Sequence, residues 1–190
     1  MAEQPTPPES MTPEQFFEHF LPAGFEAEKG GGATVPQDFS MQYHITGPGG
    51  GDWHVEIKDG KMSTKKGSAD SVLTFTLSID DFLDAVLSRN GASPAVLLPA
   101  NRPGRPDNSG RAKTIKGTIA QELAREGADP FKVEMTFNGA AAPRTVLKMK
   151  LADFVAMQEG RLNGQEAFMT GRLRIEGDMA FMMQVASLTA

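Results

Sequence analysis

The apolar pattern of this chain predicts an α+β protein built on a largely antiparallel sheet. Three observations carry that prediction. Apolar residues alternate with polar ones along two stretches of residues 39–57, the period of strands buried on one face. Asp59-Gly60 then supplies a two-residue hairpin turn. Segments of helical period, with capping residues ahead of them, flank the strands.

Residues 1–10 (MAEQPTPPES) are polar and proline-rich, have little to bury, and are expected to be disordered. Thr12 can cap the first helix, Pro13 fits its first position, and Gln15 completes a capping box. Met11 and Phe16 are placed for a hydrophobic staple. Phe16, Phe17, Phe20 and Leu21 form the apolar face, and Pro22 and Gly24 limit its length, with room for a ragged turn on to Lys29. Gly30, Gly31 and Gly32 make a flexible link. A meander follows. Phe39, Met41, Tyr43 and Ile45 alternate, residues 47–51 (GPGGG) turn the chain, and Trp53, Val55 and Ile57 alternate again. Residues 61–65 form a third strand and 72–77 a further one. Ser78 caps the next helix, Asp80 and Asp81 suit its positive end, and Asn90-Gly91 ends it. Its apolar face is Ile79, Phe82, Leu83, Val86 and Leu87.

Residues 92–112 carry Pro94, Pro99, Pro103 and Pro106 with Arg102, Arg105 and Arg111 between them, which predicts a long surface loop. Residues 115–123 fit either a strand or a short helix. Beyond Phe131 the earlier pattern returns under two competing alignments: 39–58 with 131–150, or 72–82 with 146–154. Either implies that part of the sheet is doubled. Residues 153–159 and 165–169 read as short helices before a last strand. The final helix is apolar on almost every side. Met179, Met182, Met183 and Ala186 recur at helical spacing, and Phe181, Val185 and Leu188 form a second face. Such a helix is either core or is covered by a ligand or a partner, and methionine adapts to variable shapes.

Length and composition narrow the function classes. With 190 residues the chain is expected to be one domain, 11–190, able to bury a sizeable core. Net charge is −5 with no basic block, which argues against nucleic acid as a partner. Cysteine is absent, so disulfides and thiolate chemistry are excluded. No secretory signal and no run of about 18 apolar residues is present, so the expected location is the cytoplasm, with no transmembrane segment.

Each enzyme-like feature has a plainer explanation. His44 and His54 could face each other across the first hairpin, but a metal needs further ligands at matching spacing and none is evident. Asp80, Asp81 and Asp84 sit where a helix start favours acids. Residues 47–51 lack the lysine of a phosphate-binding loop and read as a turn. Arg102, Arg105 and Arg111 could grip an anionic headgroup or phosphate, but a loop kept soluble by charge explains them better. No catalytic residue, metal or cofactor is therefore expected.

Residues 164–185 (GQEAFMTGRLRIEGDMAFMMQV) carry a resemblance. Ala167-Phe168, Gly171, the basic-apolar strand Arg172-Leu173-Arg174-Ile175, and Gly177-Asp178-Met179 ahead of an apolar helix are similar to the C-terminal part of the sterol-carrier-protein-two (SCP2-like) lipid-binding family. A looser likeness runs through residues 53–61 (WHVEIKDGK). The resemblance implies a twisted, largely antiparallel sheet with helices packed on one face, here with an insertion at about 92–130. It implies a hydrophobic tunnel between sheet and helices. By position, Phe82, Val86, Phe154, Met157, Phe168, Met169, Phe181, Met182 and Met183 fall on the elements around it. The same residues could instead fill a dry core.

The expected activity is non-catalytic binding or transfer of a lipid or other apolar small molecule: a fatty acid, acyl-CoA, phospholipid or sterol. The alternative is a structural or interaction domain that dimerises, or docks on an enzyme, through its apolar C-terminal helix. A homodimer and a transient membrane contact are both compatible with that helix.

Overall fold

Alternation in the sequence becomes one eight-stranded sheet. The structure is a computed structural model, and it describes residues 10–30, 38–97 and 107–188. The strands are β1 (Phe39–Thr46), β2 (Gly51–Lys58), β3 (Lys61–Lys66), β4 (Leu73–Ser78), β5 (Gly117–Arg125), β6 (Ala128–Phe137), β7 (Arg144–Lys150) and β8 (Arg174–Gly177), in the order β3-β2-β1-β4-β6-β5-β7-β8. The pairs β1–β4 and β5–β7 are parallel and the other five are antiparallel. Of residues 115–123, open to two readings in the sequence, 117–123 form most of β5 in the sheet interior.

Register sorts the faces. Met41 lies beside Val55 and Leu73, Leu73 beside Phe137, and Ile119 beside Met135 and Thr145, all on the face that the helices cover. The opposite face carries Gln42, His44, His54, Thr74, Glu134, Glu122 and Lys148. The helices are α1 (Pro13–Gln15), α2 (Leu21–Gly30), α3 (Ile79–Val86), α4 (Ser109–Ala112), α5 (Leu151–Gln158), α6 (Gly164–Met169) and α7 (Met179–Ala186). An α+β fold with helices over one face of a largely antiparallel sheet is thus what forms.

The predicted caps are made. Gln15 N–H donates to the Thr12 hydroxyl at 3.2 Å while Thr12 N–H donates to the Gln15 side chain at 3.0 Å. Ser78 caps α3 by accepting from Asp81 N–H at 3.0 Å. One element was not foreseen. A π-helical turn, Phe16–Phe20, joins α1 to α2, closed by Leu21 N–H on the Phe16 carbonyl. It lets the consecutive residues Phe16 and Phe17 both point inward, at 1% and 0% exposure. Pro22 follows this turn, where the hydrogen-bond ladder is already offset, and the chain runs on to Gly30 as regular helix instead of the ragged turn that the sequence predicts. Residues 1–9, Gly31, Gly32, Pro99, Arg102, Pro103, Arg105 and Pro106 lie outside the described residues. The remainder of the predicted loop holds a 3₁₀ turn, Pro94–Val96, and α4.

Topology decides between the two repeat alignments. Matching 39–58 with 131–150 equates the paired strands β1 and β2 with β6 and β7, which flank β5 on opposite sides and do not pair. Matching 72–82 with 146–154 equates β4–α3 with β7–α5. In each, a strand runs parallel to the first strand of its unit and leads directly into a helix bearing Asp-Phe, Asp81-Phe82 or Asp153-Phe154. In each unit the first strand also pairs antiparallel with the next, β1 with β2 and β5 with β6. The two units meet edge to edge where β4 pairs with β6.

The two halves pack differently. Over β1–β4 the core is aromatic and closed. Phe17 stacks on Trp53 and Phe82 with ring centres 5.2 and 5.7 Å apart, and Tyr43 stacks on Phe75 at 4.9 Å. Burying such a ring contributes about 1.5–3 kcal/mol, and each ring pair about 0.5–1.5 kcal/mol more. Tyr43 completes the layer by donating its hydroxyl to the Leu97 carbonyl at 3.2 Å. The helices over the second half are short, and α6 and α7 leave large apolar side chains open to solvent.

Candidate functional site

The segment after β7 builds its geometry from a few small residues. α5 packs on β5 and β7, and α7 packs on β7. Ala167 is fully buried, and its carbonyl accepts from Leu173 N–H at 2.9 Å, which folds α6 back toward β8. Asp178 caps α7 through Phe181 N–H at 2.8 Å, and its own carbonyl accepts from the Thr145 hydroxyl at 2.7 Å. Gly177 makes that approach feasible: a Cβ there would lie 2.4 Å from the Arg144 carbonyl, and its φ is +108°. The Gly-Asp motif thus fixes where α7 meets the sheet.

The nine residues assigned to a tunnel fall into two groups. Phe82 and Val86 are fully buried, and the Phe82 ring packs edge-on against Phe16 at 5.3 Å, inside the closed aromatic half. The other seven belong to α5, α6 and α7. Phe154 and Phe181 point inward at 6% and 2% exposure, Met157 and Met182 are half-buried, and Phe168, Met169 and Met183 are exposed. The Phe181 ring meets Phe137 edge-on at 6.4 Å. Neither of the two clefts described below is lined by any of the nine.

One residue that pattern reading missed lies in this layer. Gln121 of β5 sits on the apolar face between Val133 and Leu147 and is buried. Its Nε2 contacts the Met135 sulfur at 3.2 Å, and its Oε1 has no hydrogen-bond partner among the described residues. A buried acceptor in an apolar layer costs stability and offers a ligand hydroxyl a place to donate. With residues 115–123 open to strand or helix, no phase in the sequence marks Gln121 as inward-facing.

The polar groups resolve into structural pairs. His44 does not face His54: the register sets His44 opposite Asp52, and His54 opposite Gln42. Cross-strand pairs follow register, and the hairpin loop shifts it by two residues from the facing arrangement. His44 Nδ1 lies 2.6 Å from Asp52 Oδ1, while the Ser68 hydroxyl donates to Asp52 Oδ2 at 2.9 Å. These hydrogen bonds, His44's first and Ser68's second, hold the Asp52 carboxyl below its ordinary range. Serine, aspartate and histidine meet here in the wrong order for hydroxyl activation, because the carboxylate takes the serine proton bond that an imidazole must hold. Beside them lies a polar cleft of about 690 Å³ against Thr74 and Asn138.

Asp81 and Asp84 do more than begin a helix. Both grip the buried guanidinium of Arg125, at 3.0 and 2.6 Å, and Asp81 Oδ2 also accepts from Lys132 N–H at 3.2 Å. Burial raises the Asp81 carboxyl above its ordinary range against these opposing bonds. Arg125 also lies 5.7 Å over the Phe131 ring. This clamp ties α3 to the β5–β6 hairpin across more than 40 residues of sequence, so no local motif announces it. Arg111 binds the Ser187 carbonyl at 3.3 Å and Asn108 the Leu188 carbonyl at 2.9 Å, satisfying the end of α7. No group of three or more metal-ligating side chains occurs among the described residues. No helix among them is long and apolar enough to cross a membrane.

A largely antiparallel sheet with helices on one face and an apolar segment after β7 define an α+β domain. The sequence of the second half is more specific. Residues 100–190 match the model of the SCP-2 sterol transfer family. The likeness read from residues 164–185 therefore extends over that whole stretch, including β5 and α4. No curated protein matches the chain. Among solved structures, the sterol carrier protein domain 2 of Helicoverpa armigera is similar at 23% identity and a TM-score of 0.34, over 41% of this chain and 68% of that one. A double mutant of the sec-alkyl sulfatase PisA1 is similar at 12% identity and a TM-score of 0.31, over 94% of this chain and 16% of the sulfatase.

Proposed function

We propose that this protein binds and transfers a hydrophobic or amphipathic molecule without chemically altering it, and that the molecule lies between α5–α7 and the β5–β7–β8 part of one continuous domain. The candidate ligands are a fatty acid, a fatty acyl-CoA, a phospholipid or a sterol. One observation carries the reading. The half matched by the SCP-2 sterol transfer family is also the half whose apolar side chains are left open, with Phe168 at 47%, Met169 at 77% and Met183 at 67% exposure. The other half is closed by stacked rings. Phe154, Met157, Phe181 and Met182 form the inner surface in this reading, and Phe168, Met169 and Met183 the rim. Gln121 supplies a polar contact. Phe82 and Val86 serve the closed core.

The magnitudes suffice. Each buried methylene contributes about 0.8 kcal/mol, so ten contribute about 8 kcal/mol, near micromolar affinity before ordering costs. Short helices held by one cap and a few contacts are the elements that can part to admit a chain. Displacement of a fluorescent fatty acid tests the reading. Saturable binding at about one site per chain, with lipid in the organic extract of the purified protein, is expected. No saturable binding by folded protein and a lipid-free extract contradict it.

A second reading uses the same helix. Met179 at 45% and Met183 at 67% exposure also suit a docking face for a second copy or an enzyme. Sedimentation separates the two: a dimer that lipid neither forms nor disrupts favours docking.

A further inference from the structure

A second cleft, of about 500 Å³, opens where the ends of β5 and β7 meet the start of α5 and the turn after α6. Four cations line it: Lys148, Lys150, Arg172 and Arg174. Glu122 and Asp153 are the acids on its wall, so the lining carries a net charge of +2 (four cations less two acids) in a chain of net charge −5. Lys148 is held by Glu176 at 2.8 Å and Glu122 at 3.9 Å, and Arg172 lies 3.7 Å from Asp153. Lys150 and Arg174 have no ion pair among the described residues. Register puts Arg174 directly across from Lys148, and Lys150 two residues further along the same strand face. Two uncommitted cations beside two committed ones form a binding locus for an oxyanion.

The cleft is not purely polar. Met149 and Pro130 line it, and its Thr170 and Gly171 directly follow the exposed pair Phe168-Met169. Asp153 directly precedes Phe154, which points into the apolar layer. Lys148, Lys150 and Arg174 stand on the sheet face away from the helices, while Asp153 belongs to α5 and Thr170, Gly171 and Arg172 follow α6. The cleft therefore wraps the ends of β5 and β7, and a tail rounds that end to reach the apolar surface.

We infer that this cleft holds the phosphate or carboxylate head of an amphiphile whose tail lies against α5 and α6, so that the ligand class is anionic lipid and not sterol. The inference rests on the carrier reading for the tail, and the test separates the two. Full-length protein is titrated by calorimetry with dodecyl phosphate and with 1-dodecanol, below micelle formation, and the double variant Lys150→Gln/Arg174→Gln is treated alike. Neither side chain has an ion pair among the described residues, and an unchanged Tm verifies the variant's fold. Dodecyl phosphate is expected to bind at least tenfold more tightly than dodecanol, with the preference lost in the variant and in 0.5 M salt, as roughly expected for screening at a Debye length near 4 Å. Equal affinities in the native protein, or a preference that survives in the variant, overturn the inference. So does inorganic phosphate binding as tightly as dodecyl phosphate, which makes the site one for a free anion. If neither amphiphile binds, phosphate is followed by amide shifts. Shifts at Lys148, Lys150 and Arg174 that vanish in the variant leave an oxyanion site and fail the carrier reading alone. Their absence fails both.

Discussion

Gly117 lies directly against the ring of Phe181: a Cβ on Gly117 would stand 2.7 Å from two ring carbons and 2.6 Å from the Pro143 carbonyl. That missing methyl lets α7 settle over the start of β5. The backbone there also has a φ of +140°, which side chains disfavour.

Gly117→Ala should therefore cost more than backbone strain alone. Gly139 is the control, with φ +66° and nothing within 4 Å of a Cβ. Gly139→Ala should cost about 1 kcal/mol. Gly117→Ala should cost about 1–3 kcal/mol beyond that through overpacking. Urea unfolding of the two variants checks this, and equal losses would remove the close approach as the cause.

Arg125 is the buried partner of two carboxylates, so Arg125→Ala leaves both uncompensated and should cost about 3–5 kcal/mol at neutral pH. The Asp81 carboxyl is raised in the folded state, so its ionised form disfavours folding. A raised group leaves stability intact below the unfolded value and removes it as pH rises through the folded one. The deficit of Arg125→Ala should accordingly shrink between pH 7 and pH 4. A loss below about 1 kcal/mol, or one independent of pH, would show that the clamp is idle.

Asp52 should titrate below its ordinary value of 3.8. A lowered carboxyl contributes stability that is present above the unfolded pKa and lost as pH falls through the folded one. His44→Ala and Ser68→Ala should each return its titration toward the ordinary range, the first by more, as followed by carboxyl carbon NMR. Asp52 titrating normally in the native protein contradicts the pairing.

Gln121→Leu removes an orphaned acceptor from the apolar layer and should raise the stability of the ligand-free protein by about 1 kcal/mol. It should also weaken binding of a ligand that carries a hydroxyl. A destabilised variant with unchanged binding would assign Gln121 a packing role only.

Much of this fold is written in local pattern. Alternation at Met41, Tyr43 and Ile45, the Thr12 and Ser78 caps and the Asp59-Gly60 turn each act over a few residues, and each forms as read. What failed to show needs distant partners. The π turn at Phe16 forms because Phe82, Tyr43 and Trp53 demand both rings at once. Arg125 gains its meaning from Asp81 and Asp84, and His44 from Asp52 through a register that the loop length sets. The seam between β4 and β6 is legible only in the sheet order. The apolar residues of α3 and α7 look alike in sequence, yet the rings around Phe82 close one while solvent reaches the other, because only the first half has α1 and α2 to cover it.

The most direct test follows the methionine methyl groups by carbon-13 NMR while a long-chain fatty acid is added. Met157, Met169, Met182 and Met183 should shift together and saturate near one equivalent, while Met11 and Met41, in the closed half, stay fixed. Shifts confined to Met11 and Met41, or none that saturate, would contradict an apolar guest between α5–α7 and the sheet.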